Sequence, residues 1–128
     1  MKLSLKKNID ALREGALAQI AVGAQEALAR YKSPSEYVAK AHARKQSEHA
    51  IYKQDSSLTA DELPIMFSEA EALGTDIHTV AAIWDQKMKE ESLIISRIEA
   101  IRLTANKKVR EATTPTAINE VIARIEWP

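Results

Sequence analysis

Two of the three histidines in this 128-residue chain, His42 and His49, stand seven residues apart in the stretch YVAKAHARKQSEHAIYKQ. On an α-helix that spacing puts both imidazoles on one side, and Lys45 and Lys53 share it. A histidine pair that binds a metal wants one-turn spacing and a carboxylate to complete the set, and ammonium groups alongside oppose a cation. No metal site is expected there. Lys40, His42, Arg44, Lys45, His49 and Lys53 read instead as a basic face, solvated or open to an anionic partner.

The third histidine, His78, lies two residues after Asp76, too near in sequence to define a catalytic dyad and with no nucleophile beside it. The two read as surface groups at a helix start. Asp61, Glu62, Glu69 and Glu71 have neither the spacing nor the glycine turn of a calcium loop. With no cysteine, thiolate zinc sites, cysteine nucleophiles and disulfides are all excluded. Nor is there a glycine-rich phosphate loop, a nucleophile elbow or a placeable pair of catalytic carboxylates. The chain is therefore expected not to be an enzyme and to need no cofactor.

The elements that would position these groups are helical. Apolar residues make up 45% of the chain and aromatic ones 5%, with only 3 glycines and 4 prolines. Such a composition favours helix and a real core. The expectation is an all-α fold, a single domain over residues 1–128, with four to five helices in an irregular bundle or an elongated helical hairpin. Net charge is zero, which argues against a general nucleic-acid binder. Residues 55–75 nonetheless hold five acidic and no basic side chains, and are expected to face basic helices of the same fold. Near the start, Asp10, Arg13 and Glu14 interrupt what might pass for a secretory signal. The uncharged run from Gly15 to Gln25 falls well short of the roughly 20 residues that span a bilayer. No membrane association is expected, and the location expected is cytoplasmic.

Apolar spacing places helices over about 4–32, 34–54, 60–73, 76–112 and 115–126. The first carries Leu5, Ile9, Leu12, Ala16, Ile20, Ala24, Ala27 and Tyr31 at steps of three and four, with Gly15 and Gly23 adding a surface that another helix could approach. In SPSE, Ser33 can cap the second helix, Pro34 can open it and Glu36 can complete a capping box. Thr59 with Glu62 resembles a second box, but Pro64 then forces either a separate turn or a kink. Thr75 or Asp76 can cap the fourth helix, whose seam runs Ile77, Ala81, Trp84, Met88, Ile95, Ile98, Ala105, Val109, Ala112. Glu91 interrupts it, either at a locally exposed turn or paired with a base from another helix. Thr114 and Pro115 open the last helix, too short to be stable alone and expected to lie on the fourth.

Apolar candidates for partner contact are Trp127, Ile118, Ile122 and Ile125 at the C-terminal end, with Trp84 and Met88, one turn apart on the fourth helix. The last two read first as a core pair. Self-association through the apolar faces of the first and fourth helices is also expected.

One segment has a likeness. IEAIRLTANKKVREATTPTAINEVI, residues 98–122, resembles a segment common near the C-terminal ends of small phage and prophage tail proteins, tail-fibre assembly proteins among them. The matching residues are Ile98, Ala100, Arg102, Ala112, Thr113, Thr114, Pro115, Ile118 and Val121. The resemblance implies a tail-associated protein that acts by protein–protein contact in the bacterial host cell, as an assembly chaperone or a minor component of the virion, with a phage tail component as partner. The competing expectation is a small regulatory or nucleic-acid-binding module using the basic face of residues 40–53.

Overall fold

The computed structural model describes residues 2–32 and 35–128, with side chains from residue 6 onward. The described residues form five α-helices and no strand: α1 (Lys2–Ala29), α2 (Glu36–Gln54), α3 (Pro64–Leu73), α4 (Ile77–Glu111) and α5 (Pro115–Ala123). The fold is all-α. Packing groups the chain into two compact units, a terminal one of Met1–Tyr31 with Leu93–Pro128 and a central one of Lys32–Ser92. The α4 helix contributes residues to both.

Helix ends follow local capping chemistry, which moves several expected boundaries. The second helix starts at Glu36, where the Ser35 hydroxyl accepts from the Val38 amide at 3.4 Å. The expected cap at Ser33 and first turn at Pro34 lie outside the described residues. Thr59 and Glu62 close a separate turn, the Glu62 carboxylate accepting from the Thr59 amide at 3.0 Å. Pro64 then opens α3, because its missing N–H costs nothing at the first helical position. Gly74 ends α3 at φ 67°, a left-handed conformation in which a Cβ would be strained. Asp76 caps α4 by accepting from the Thr79 amide at 2.8 Å. The α4 helix runs unbroken through Glu91. Thr114 caps α5 through Ala117 at 3.1 Å, and α5 stops at Ala123 rather than near residue 126.

In the central unit the core is Leu63, Met66 and Ala70 against Val80, Ala81 and Trp84 of α4, with Met88 half-buried beside them. Glu48 is also buried there, 5% exposed. Its carboxylate accepts from the Met66 amide at 2.9 Å and the Ile65 amide at 3.2 Å. These are among the orphan donors at the start of α3, so an α2 side chain completes the cap that Pro64 cannot.

In the terminal unit Ala16 and Ile20 of α1 meet Ala105 and Val109 of α4 and Ile118 of α5. Complete burial of an isoleucine such as Ile118 is worth roughly 1.5–3 kcal/mol, enough to hold a nine-residue helix that has no stability alone. The backbone of α5 approaches α1, so the expected seat on α4 is only part of its seat. The α1 stripe is narrower than its spacing implied: Leu12 is 40% exposed and Tyr31 49%. Arg13 lies on the buried side instead. Its guanidinium donates to the Ala112 carbonyl at 2.6 and 3.2 Å, satisfying an orphan acceptor at the end of α4.

Candidate functional site

The basic face expected on α2 is not a free surface. His42 Nε2 lies 2.9 Å from a Glu91 carboxylate oxygen, and Lys32 reaches the same carboxylate at 3.6 Å. Glu91 is thus the ion-paired seam residue, not an exposed turn. Buried His49 faces Asp85 at 3.4 Å, and Lys53 and Lys89 reach that carboxylate at 3.1 and 2.8 Å. Lys45 pairs with Glu69, and its ammonium stands 5.6 Å from the Trp84 ring centroid. Trp84 Nε1–H donates to Glu69 at 2.7 Å. Lys40 pairs along its own helix with Glu36 at 3.9 Å, and Arg44 is left exposed.

The remaining histidine completes a pattern. The Tyr52 hydroxyl of α2 and His78 Nδ1 of α4 are 2.5 Å apart, while the Asp76 carboxyl, at the start of the same helix, is lowered first by hydrogen bonds from Thr79 and further by the neighbouring His78. All three histidines therefore join α2 to α4 within the central unit, at His42–Glu91, His49–Asp85 and Tyr52–His78. Nε2 of both His42 and His49 faces a carboxylate, so neither ring offers that nitrogen to an anionic partner. No group of three or more His, Asp or Glu side chains among the described residues could hold a metal ion.

Ion pairing shifts the carboxylates accordingly. Hydrogen bonds from Lys89 and then Lys53 hold the Asp85 carboxyl down to about 2. Partial burial alone would raise Glu69, but hydrogen bonds from Lys45 and Trp84 outweigh it and leave the group below its usual range. Among the described residues the acidic stretch meets a base of another helix only at Glu69. Asp55 and Glu62 instead accept from Ser57 and Thr59, and these hydrogen bonds lower both groups.

The apolar candidates divide. Trp84 and Ile118 are closed into the two cores, 3% and 1% exposed, and offer no surface to a partner. Met88 packs beside Trp84, the core pair that its spacing indicated. Ile122 and Trp127 are half-buried on the terminal core, where Trp127 lies over Gly23. Ile125, also half-buried, lines an open groove of about 450 Å³ between α4 and α5. Ala100, Ile101 and Ala105 form its α4 wall, and Ala117 and Val121 its α5 wall. Lys108, Glu120, Arg124 and Glu126 stand around it.

Sequence reasoning missed Glu48 and Arg13, the two charged side chains that cap other helices. The signal was present: Glu48 falls four residues before Tyr52 and Arg13 four after Ile9, each at apolar-stripe spacing. A charge at a core-facing position implies a specific partner.

No helix of the described residues is long and apolar enough to cross a membrane. Comparisons with known protein families, with curated proteins and with solved structures find no match to this chain.

Proposed function

We propose that this is a non-catalytic, phage- or prophage-tail-associated protein that acts by protein–protein contact in the bacterial cytoplasm, as an assembly chaperone or a minor component of the particle. One observation carries the contact reading. The polar groups best suited to chemistry in the central unit are engaged in links between helices, while large apolar side chains stand open on both units, Tyr37 and Leu73 on the central one among them. Val22 is 53% exposed, Leu93 51% and Leu103 53%. Open apolar side chains of this kind suit recognition of another protein's apolar surface. The tail association rests on the likeness of residues 98–122, which supply the end of α4, the Thr114–Pro115 helix start and most of α5.

The test is co-expression with each tail protein encoded beside it, followed by size-exclusion chromatography. The expected result is co-elution with one of them at fixed stoichiometry, lost in Val22→Glu or Leu103→Glu. Both positions are exposed, so these variants keep the wild-type helical content. Absence of a complex with every neighbouring tail protein, from a folded chain, overturns the proposal.

A further inference from the structure

The groove between α4 and α5 has a particular arrangement of charge. Its floor is apolar and built from small and β-branched side chains, Ala100, Ala105, Ala117 and Val121, so another helix can come close. Leu93 lies seven residues before Ala100, hence on the same side of α4, and it is 51% exposed. The apolar strip thus continues along α4 beyond the groove. Around the groove stand two bases, Lys108 and Arg124, and two acids, Glu120 and Glu126. None of these four side chains makes an ion pair or a side-chain hydrogen bond among the described residues. Elsewhere in the terminal unit Asp10, Glu99 and Glu111 are paired with bases of their own helices, whereas Glu14 and Glu26 on α1 are unpaired among the described residues.

A uniformly acidic or basic partner would meet two like charges here whichever its sign, which opposes docking. A partner with both signs in equal number can set each charge opposite its opposite, and a second copy of this chain carries such a patch. Under two-fold symmetry the same patch faces itself, and each acid can stand opposite a base. Zero net charge adds no long-range repulsion between copies. We infer that the α4–α5 groove is a homodimer interface, its occupant the corresponding edge of a second copy. The inference rests on the contact reading above but not on the tail association.

Sedimentation equilibrium tests it, on the full chain and on two variants. One carries Lys108→Glu with Arg124→Glu, the other Glu120→Lys with Glu126→Lys. All four positions are exposed, and circular dichroism checks that each variant stays folded. Wild type is expected to be a dimer at tens of micromolar, loosening as salt rises. Each variant alone is expected to dimerise at least about 100-fold more weakly, since like charges then face each other. An equimolar mixture of the two is expected to recover a dimer containing one of each. A monomeric wild type overturns the inference. So does a variant that dimerises as tightly as wild type, or a mixture that stays monomeric. A wild-type dimer that binds no tail protein counts only against the tail association. A monomer that binds one counts only against the dimer.

Discussion

The indole of Trp127 occupies the space that a side chain at Gly23 would need: a Cβ there would lie 2.7 Å from Nε1 and 2.9 Å from Cε2. A glycine inside α1 costs helix stability, and here the cost admits an aromatic ring from the far end of the chain. Gly23→Ala is expected to destabilise the terminal unit by about 1 kcal/mol. Overpacking of roughly 1–3 kcal/mol is offset in part by about 1 kcal/mol of helix propensity. The effect should change sign in a Trp127→Ala background, where only the propensity gain remains. Urea unfolding of the four chains measures this. A Gly23→Ala chain as stable as wild type in both backgrounds would show that Trp127 does not pack there.

Glu48 caps α3 from another helix, and two of its substitutions should separate. Glu48→Ala leaves the Ile65 and Met66 amides buried without an acceptor, an expected loss of about 1–3 kcal/mol. Glu48→Gln keeps one carbonyl oxygen and should lose about half as much. Thermal unfolding followed by circular dichroism checks both. Equal losses would mean that side-chain volume, not hydrogen bonding, sets the contribution of this position.

These residues show where sequence reading succeeds and where it stops. Periodicity and composition were enough for four to five helices, for the Trp84–Met88 core pair, for a start at Thr75 or Asp76 and for the start at Thr114. They follow from local chemistry, since a cap or an apolar stripe is decided by neighbours within one or two turns. The fate of the basic face was not legible. Whether Lys45, His49 and Lys53 meet solvent or carboxylates depends on how α2 turns toward α3 and α4, more than twenty residues away in sequence. The same holds for α5, whose apolar face announced a seat without saying that α1 supplies much of it. Glu48 and Arg13 lie between these cases: their stripe positions announced burial, but only the fold supplies their partners.

Asp85 gives the central unit an acid-sensitive link. Its carboxyl is held at about 2, below its ordinary value of 3.8, by Lys89 and Lys53. A group depressed on folding stabilises the native state above its unfolded pKa, and that contribution is lost as pH falls through the folded one. The stability that Asp85 adds should therefore be complete above about pH 4 and fade toward pH 2. Asp85→Asn should have a lower melting temperature than wild type at pH 6, with the gap narrowing by pH 2. A gap that stays constant across that range would show that Asp85 stabilises by packing and not through its charge.

Asn106 carries the opposite kind of imperfection. It is 7% exposed on α4 beside Ala105, and its Oδ1 is buried without a hydrogen-bond partner. A buried polar atom left unpaired costs about 1–3 kcal/mol, whereas an apolar side chain of similar size costs nothing of the kind. Asn106→Leu is therefore expected to stabilise the chain by about 1 kcal/mol or more, read as a higher urea midpoint at unchanged slope. A buried asparagine in a helix seam can also favour one pairing of helices over others. If Asn106 does so here, Asn106→Leu should be more stable yet less uniform, with broadened amide signals in its NMR spectrum. A less stable Asn106→Leu chain would mean that Asn106 is hydrogen-bonded after all, for instance to a bound water molecule, and the unpaired Oδ1 would then not describe the native state.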